Sequence, residues 1–212
     1  MPRSVMHDPG ARDMRAAVVR RPGGIASGPL RIEERPEPQP AARELRLRVR
    51  ACAVCRTDLQ LATGDIAPHR DAVVPGHQVV GVVDAVGSSV EGWSIGERAG
   101  VTWLAGFDGT CRFCHSGRES LCPSATFTGW DRDGGYAESC TVRADVAVHL
   151  PDEFADLDAA PLLCGGVIGY RALRLSGIQP GGRLGLYGFG ASALLAIQVA
   201  THWGCRVHVA TR

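Results

Sequence analysis

The sequence predicts an all-β barrel followed by the beginning of a doubly wound α/β domain, and two patterns support this prediction. Short runs rich in β-branched residues, broken by glycine and proline, fill residues 14–150. A strand, glycine turn, helix and strand then fill residues 184–210, which is typical of the first unit of a parallel sheet covered by helices. The 27 glycines among 212 residues favour a turn-rich β architecture over a helical bundle.

In the first part of the chain, strands are predicted at 16–19, 30–34, 45–51, 79–86 and 142–150, each bounded by turn residues. Residues 1–13 are polar and are predicted to form a loose N-terminal extension. Strand 45–51 alternates strictly, which predicts one buried face and an outer row of arginines at 46, 48 and 50. A solvated face is the favoured interpretation of that row, although an anion-binding surface stays open. Residues 14–160 are therefore predicted to form one domain.

In the second part, the composition changes after Pro151. A helix is predicted at 159–175, a strand at 184–187, an apolar helix at 193–202 and a second strand at 205–210. Residues 161–212 are therefore predicted to be the start of a separate α/β domain.

Composition also restricts the class of partner. The formal net charge of +1 argues against a nucleic-acid-binding surface, and no segment approaches the ~18 apolar residues of a membrane span. The N-terminus lacks the apolar core of a signal peptide. Eight cysteines in such a chain predict metal binding or chemistry in a reducing cytoplasm rather than disulfides. The expected partner is a small molecule.

Three residues far apart in the sequence are candidate ligands of a catalytic metal. Cys55 follows a predicted strand, His77 precedes one, and Cys164 stands before a pair of glycines. Catalytic zinc takes three protein ligands from cysteine, histidine and carboxylate and leaves a fourth position for water or substrate. Each residue alone is weak evidence, because single cysteines and histidines are more often ordinary core residues.

A second cluster lies within residues 102–123. Cys111, Cys114 and Cys122 have the spacing of a closed metal lobe, with Asp108 where a first cysteine would be expected. A carboxylate oxygen is a competent zinc ligand, so a structural zinc site is favoured, and a metal-free loop remains the alternative. His115 is predicted to face solvent and is a reserve ligand.

The hexapeptide from Gly188 through Gly190 to Ala193 is a GxGxxA turn between a predicted strand and helix. In that context the glycines allow close approach of a pyrophosphate to a helix N-terminus. No acidic residue follows Asp158, so the usual carboxylate for the ribose of NAD is missing, and Arg212 is a candidate for the 2′-phosphate of NADP. The prediction is NADP or NAD, with a slight preference for NADP.

These segments together resemble the zinc-dependent medium-chain alcohol dehydrogenases, from about Met14 to Arg212. The resemblance is carried by the segments 52–58, 75–81, 102–123, 162–166 and 188–193. It implies a GroES-like catalytic domain followed by the start of a Rossmann domain. It also implies that Cys55, His77 and Cys164 hold the catalytic zinc and that Cys111, Cys114, Cys122 and Asp108 hold the structural one.

The same resemblance implies roles for further residues. Thr57 would hydrogen-bond the substrate oxygen and relay its proton, Asp58 would orient His77, and Arg56 would contact the cofactor pyrophosphate. The implied activity is hydride transfer between a nicotinamide cofactor and a small alcohol or aldehyde. Family members commonly form dimers or tetramers, so a homo-oligomer is expected.

Departures from the family pattern leave an alternative open. Gln60 and Gln78 stand where many relatives carry ionisable residues, and the Rossmann part supplies about two of the usual six strands. The sequence therefore predicts little turnover for the 212-residue chain by itself, and the alternative function is a non-catalytic zinc-binding remnant that cannot hold the cofactor. A zinc-free quinone-reductase-like protein is disfavoured, because it leaves the three candidate ligands without a shared purpose.

Overall fold

The computed structural model describes residues 12–212. Residues 1–11, which make up most of the predicted N-terminal extension, lie outside the described residues. The first strand, β1 (Asp13–Val19), pairs antiparallel with β2 (Leu30–Pro36), and Asp13 lies opposite Pro36. Assigning Asp13 to the extension was therefore wrong, because its backbone belongs to this hairpin.

A five-stranded antiparallel sheet forms the centre of the first part of the chain, in the order β8, β3, β4, β5, β9. Its strands are β3 (Glu44–Cys52), β4 (Val79–Val86), β5 (Arg98–Val101), β8 (Ser139–Arg143) and β9 (Val148–His149). A separate two-stranded sheet joins β6 (Leu104–Gly106) to β7 (Thr126–Phe127). The prediction of a barrel-like β domain is confirmed.

The core of this domain is built from alternate residues of the central strands. Leu45 and Leu47 of β3 and Val79 and Val83 of β4 are at most 1% exposed and pack together with Val101 of β5. Burying each such aliphatic side chain contributes about 1.5–3 kcal/mol relative to leaving it in water. The alternating pattern therefore fixes which face of β3 points inward.

The arginines on the opposite face of β3 are not a free row of charges. Arg46 is 15% exposed and lies 3.1 Å from Glu37 and 2.8 Å from Asp84, and Arg50 lies 3.5 Å from Asp156. Two of the three arginines therefore neutralise acidic neighbours, which argues against the open alternative of an anion-binding surface.

Two predicted elements of this domain were wrong. The predicted strand 142–150 is interrupted by a turn in which the amides of Val146 and Ala147 donate to the carbonyl of Arg143. Asp145, a residue that favours turns, pairs with the Arg143 side chain there. The segment after Cys55, for which the sequence predicts no helix, forms helix α1 (Arg56–Thr63), which ends at Gly64 with φ of 87°.

The predicted helix 159–175 is also interrupted. Helix α2 (Asp156–Ala159) continues into a 3-10 turn (Ala160–Leu163), and helix α3 (Gly165–Ser176) starts after Cys164. Cys164 itself has φ of −135° and ψ of −72°, outside the helical region. Cys164 therefore lies between the 3-10 turn and α3 and belongs to neither.

The second part contains a parallel pair of strands, β10 (Arg183–Tyr187) and β11 (Arg206–Ala210), connected by helix α4 (Ala191–His202). This is the strand, helix and strand unit that the sequence predicts, and the α/β assignment is confirmed. Among residues 12–212, none of the helices combines the length and the apolar character that crossing a membrane requires.

Helices α3 and α4 pack closely because α3 carries glycine where the two backbones meet. A Cβ on Gly169 would lie 2.7 Å from the carbonyl oxygen of Ser192, and one on Gly165 would lie 3.3 Å from Leu195. Larger residues at Gly169 would push the helices apart. The close contact fixes Cys164, at the start of α3, relative to the glycine turn that precedes α4.

Candidate active site and metal centres

Three segments of the chain bring Cys55, His77 and Cys164 together. Their ligand atoms all lie within 4.8 Å of one another. Ligands at about 2.0–2.3 Å from a tetrahedral zinc lie roughly 3.4–3.8 Å apart, so small side-chain rotations would close this cluster around one ion. The convergence that the sequence predicts is therefore present in the folded chain.

Each ligand is held by a different structural device. Cys55 is the residue before the first turn of α1, His77 lies just before β4, and Cys164 occupies the break before α3. His77 is only 1% exposed, whereas both cysteines are partly exposed. The cluster is thus anchored on its buried side and accessible on its cysteine side.

The donor set fits a zinc ion on a further ground, the state of its side chains. His77 Nδ1 is buried without a hydrogen bond that meets geometric limits and lies 3.4 Å from Asp58 Oδ1, so Nε2 is the ring nitrogen left to bind a metal. Burial, followed by the nearby Cys55, raises the pKa of the Cys164 thiol to about 12. A metal ion would offset this effect, because it binds the thiolate and displaces the proton.

Asp58 lies directly behind His77 in the third position of α1. Its Oδ2 accepts the amide proton of Cys55 at 2.7 Å, and its Oδ1 accepts that of Gly76 at 3.1 Å. Oδ1 also lies 3.4 Å from His77 Nδ1 and faces it. Burial by itself raises the pKa of Asp58, but His77, the Cys55 amide and the Tyr136 hydroxyl together lower it below its usual value.

Thr57 and Gln78 make contacts around Cys55. Thr57 Oγ1 lies 3.7 Å from Cys55 Sγ, and the preceding Arg56 is exposed. Gln78 is buried after His77 and donates from Nε2 to the carbonyl of Ala53 at 3.2 Å. Gln78 therefore supports the Cys55 loop through a neutral hydrogen bond, without adding charge near the cluster.

The second cluster joins Asp108, Cys111, Cys114 and Cys122, whose ligand atoms also lie within 4.8 Å of one another. Three of the four are at least partly exposed and Cys122 is buried. The adjacent His115 is exposed, as predicted. Four ligands at this separation have the number and chemistry of a closed structural zinc site.

Besides facing the cysteines, Asp108 accepts hydrogen bonds from the backbone of its own turn. Its Oδ1 accepts amide protons from Thr110 at 2.7 Å and from Cys111 at 2.9 Å, and lies 3.4 Å from Cys114 Sγ. These two backbone donors hold the pKa of the Asp108 carboxyl well below its usual range. Asp108 is therefore ionised, as a zinc ligand must be, and it also closes the turn that presents Cys111.

Aromatic side chains extend from the first cluster. Trp103 meets the edge of His77 with ring centroids 4.9 Å apart, and Trp103, Phe127 and Trp130 stack on one another at interplanar angles of 18–25°. His69 stacks on Trp130 at 4.0 Å. We call Trp103, Phe127 and Trp130 the aromatic wall. It offers a flat, partly exposed apolar surface beside the candidate metal ligands.

The glycine turn lies between β10 and α4. Gly188 has φ of 89°, which a side chain would strain, and its amide donates to the carbonyl of Ala210 at 2.7 Å. A Cβ on Gly190 would meet nothing within 4 Å, so space is open at the start of α4. Ala193 lies in the first turn of α4, and Arg212 is exposed two residues after Ala210. This open helix N-terminus can accept an anionic group.

Sequence reasoning missed the aromatic wall and Tyr136. The wall joins residues from 103 to 130, and Tyr136 donates to Asp58, 78 positions earlier, at 3.0 Å. Neither contact follows from local periodicity. The signal that was present is compositional, because two of the four tryptophans of the chain fall within these 28 residues, close to the lobe.

Comparison with known proteins identifies the architecture. The family model of the alcohol dehydrogenase GroES-like domain matches residues 41–152. The chain is 50% identical over 204 residues to the "Probable alcohol dehydrogenase AdhA" of Mycobacterium tuberculosis, covering 94% of this chain and 59% of that protein.

Solved structures of alcohol dehydrogenases also match the fold of this chain. Cinnamyl alcohol dehydrogenase SbCAD4 of Sorghum bicolor superposes with a TM-score of 0.85 at 30% identity, over 94% of this chain and 58% of that one. The cobalt- and zinc-bound thermostable alcohol dehydrogenase of Pyrobaculum aerophilum also gives 0.85, at 28% identity, over 93% and 59%. The chain therefore spans somewhat less than three fifths of the length of these proteins.

Proposed function

Because the chain belongs to the alcohol dehydrogenase family that carries a GroES-like domain, we propose that it is part of a zinc-dependent oxidoreductase acting on alcohols or aldehydes. The observation that carries this proposal is the convergence of Cys55, His77 and Cys164 within 4.8 Å. When bound, zinc would supply a Lewis acid for the substrate oxygen, and NADP or NAD would supply the hydride acceptor or donor.

The residues of this chain prepare that reaction by holding and orienting groups. Cys55, His77 and Cys164 would hold the metal, and the two partly exposed cysteines mark the side from which substrate would approach. Asp58, 3.4 Å from His77 Nδ1, would fix the imidazole tautomer so that Nε2 faces the ion. The buried side of the cluster thus resists rotation of the ring while the open side receives substrate.

Thr57 is the proposed proton carrier. Its hydroxyl lies 3.7 Å from Cys55 Sγ, beside a residue that would hold the metal, and is therefore placed to hydrogen-bond the substrate oxygen. During oxidation the hydroxyl of Thr57 would accept the proton of an alcohol while passing its own proton on, and during reduction the transfer would run in the opposite direction. Gln60, on the same helix, cannot ionise, so the proton would continue to solvent without a histidine.

The aromatic wall suggests where the organic part of the substrate lies. Trp103 touches His77, and Phe127 and Trp130 continue the flat surface outward. Planar or apolar groups pack favourably against such rings. We therefore propose that alcohols and aldehydes with an aromatic or extended apolar group bind better than small polar ones.

The N-terminus of α4 is the proposed site for the cofactor pyrophosphate. Gly188 and Gly190 leave space beside the first turn, Ala193 keeps that turn small, and the helix dipole favours a negative group. Exposed Arg56 is a further candidate for the pyrophosphate. Arg212 follows the end of β11 and would favour the 2′-phosphate of NADP over NAD.

For the lobe, we propose a structural zinc held by Asp108, Cys111, Cys114 and Cys122. We also place the boundary between the catalytic and cofactor domains near residue 160, where α2 and the following 3-10 turn lead to Cys164. All eight cysteines lie in the described range and are free thiols, which fits the proposed cytoplasmic location.

The test uses the purified 212-residue protein. We expect inductively coupled plasma mass spectrometry to find two zinc ions per chain, and fluorescence titration to find binding of NADPH more tightly than of NADH. Quenching of tryptophan fluorescence should show tighter binding of benzyl alcohol than of cyclohexylmethanol, a saturated molecule of similar size.

The possible outcomes separate the proposed functions. Zinc binding without binding of either nucleotide would favour the non-catalytic zinc-binding alternative. Absence of zinc from the Cys55 cluster, after reconstitution under reducing conditions, would refute both. Equal binding of the two alcohols would leave the oxidoreductase standing and remove the role of the aromatic wall.

A further inference from the structure

Asp58 is the meeting point of three segments around the candidate zinc site. The carboxylate is 4% exposed and is contacted by Cys55, Gly76, His77 and Tyr136. The Tyr136 hydroxyl donates to Oδ2 at 3.0 Å. Tyr136 is the only one of these partners that comes from the β8 side of the domain, and it is remote in sequence from all three candidate metal ligands.

The backbone around Tyr136 fixes the direction of its side chain. The Tyr136 amide donates to the carbonyl of Pro75 at 3.0 Å, and its carbonyl accepts the amide of Ala17 at 2.7 Å. The ring lies against Gly76, where an added Cβ would come within 2.7 Å of Tyr136 Cδ1. Gly76 has φ of 95°, so both its conformation and the ring exclude a side chain.

The hydrogen bond also lies in an apolar setting. Asp58 and Tyr136 line a cavity of about 290 Å³ whose other walls include Ile25, Leu30 and Leu59. Hydrogen bonds in surroundings of low polarity are stronger and more directional than in water. Burial, followed by the charge of Asp58, raises the pKa of Tyr136, so its hydroxyl stays protonated and remains a donor.

We propose that Tyr136 is a positioning residue of the zinc site, which acts through Asp58 on His77. With Oδ2 held by Tyr136 and Cys55, the carboxylate cannot rotate freely, and Oδ1 stays directed at His77 Nδ1. The imidazole is thereby kept with Nε2 toward the metal. This inference rests on the zinc site of the proposed function, and it adds a residue that touches neither metal nor substrate.

The experiment is a double-mutant cycle of Tyr136→Phe and Asp58→Asn in the full chain. Phenylalanine keeps the ring against Gly76 and removes only the hydroxyl. The readouts are zinc affinity, by competition with a chromogenic chelator, and ¹¹³Cd NMR, which distinguishes a site with two sulfur ligands from one with three. Tyr170→Phe is the matched control, because Tyr170 contacts Trp203 in the other domain.

Loss of a group that orients a metal ligand costs about 10–100-fold in metal affinity, and we expect such a loss for Asp58→Asn. Tyr136 acts one step further out, so a smaller loss of roughly three- to tenfold is expected for Tyr136→Phe. On the Asp58→Asn background the second change should add less than about twofold, because the carboxylate through which Tyr136 would orient His77 is no longer present. Tyr170→Phe should change nothing.

Several results would overturn the proposal. An affinity within twofold of wild type for Tyr136→Phe, with a clear loss for Asp58→Asn, would mean that Tyr136 only packs. Equal losses for Tyr136→Phe on both backgrounds would mean that it does not act through Asp58. Failure of the wild-type protein to bind zinc at Cys55 would instead refute the proposed function, together with this inference.

If Tyr136→Phe does not fold, the wild-type protein still provides a test. The chain has three tyrosines, so ¹⁹F NMR of protein labelled with 3-fluorotyrosine gives three resonances, which Tyr170→Phe and Tyr187→Phe assign. We expect zinc at the Cys55 cluster to shift the Tyr136 resonance and leave the other two in place. An unshifted Tyr136 resonance would overturn the proposal.

Discussion

The two cysteine clusters of this chain differ in ligand number, in exposure and in how the sequence builds them. The lobe has four candidate ligands within 15 consecutive residues, 108–122, and most of them are partly exposed. The other cluster has three candidate ligands, at positions 55, 77 and 164, and includes a histidine that is 1% exposed. One cluster is local and closed, and the other depends on the whole fold and has an open side.

This difference has a chemical consequence. Four ligands complete the coordination of a tetrahedral zinc, so such a site stabilises structure, whereas three ligands leave a position for a reacting oxygen. The surroundings agree with this division. Asp58, Thr57 and the aromatic wall adjoin the three-ligand cluster, while Asp108 in the lobe is occupied with backbone amides of its own turn.

The largest effect is expected from His77→Gln, which breaks the three-ligand cluster. Glutamine keeps size and polarity but removes the imidazole ligand, so affinity for zinc at this site should fall by at least about 100-fold. After gel filtration, zinc analysis should therefore find one zinc ion per chain, held in the lobe, because the ion at the three-ligand cluster has been lost. The matched control is His115→Gln, since His115 is exposed beside Cys114.

Retention of both ions in the His77→Gln protein would show that the imidazole of His77 is not needed to hold zinc at the three-ligand cluster. Loss of zinc in the His115→Gln protein would show that His115 is a ligand of the lobe, in place of Asp108.

An intermediate effect is expected from Asp108→Asn in the lobe. The amide oxygen of asparagine still accepts protons from the Thr110 and Cys111 amides, so the turn should persist. A neutral amide is a much poorer zinc ligand than a carboxylate, so lobe affinity should fall about tenfold or more. Chelator competition with ¹¹³Cd NMR should show this loss at the three-sulfur site alone.

Asp108→Cys tests the same site in the opposite direction. It adds a fourth thiolate, so the affinity of the lobe for zinc should rise. If Asp108→Asn binds zinc as tightly as wild type, Asp108 only closes the turn. The lobe would then hold its metal through the three cysteines and solvent.

The two clusters also differ in how they could be predicted from the sequence, because one depends on local spacing and the other on distant contacts. Cys111, Cys114 and Cys122 are close in sequence, so their spacing alone indicated a shared site. Cys55, His77 and Cys164 required a family resemblance, because periodicity cannot place residues 109 positions apart. The barrel strands with clear alternation were predicted within a few residues.

The errors also have physical causes. Helix α1 was missed because its first turn is preceded by Cys55, which is not among the usual capping residues, and because it has only eight residues. The break at Cys164 was missed although Pro161 and the pair of glycines after Cys164 disfavour helix, because the apolar residues on both sides suggested one continuous helix. The Tyr136 contact with Asp58 depends on the packing of the β8 segment against Gly76, which no local pattern records.

The smallest expected effect concerns thiol reactivity in the metal-free lobe. The Cys114 amide, followed by neighbouring donors, lowers the pKa of Cys111, whereas loss of hydration, followed by Cys111, raises that of Cys114 to about 12. As pH rises, Cys111 should therefore ionise first and react first with iodoacetamide, because the thiolate is the nucleophile. Cys164, with a pKa also raised to about 12, should lag behind Cys111 in the same sample.

The measurement is peptide mass spectrometry after chelator treatment and brief alkylation at pH 7, 8 and 9. Buried Cys140, whose pKa is also raised to about 12, controls for unfolding, since its labelling would reveal an open chain. Zinc should protect Cys111 at every pH. Equal labelling of Cys111 and Cys114 in the folded protein would mean that the lobe does not distinguish its thiols, and that its preference for metal comes from geometry alone.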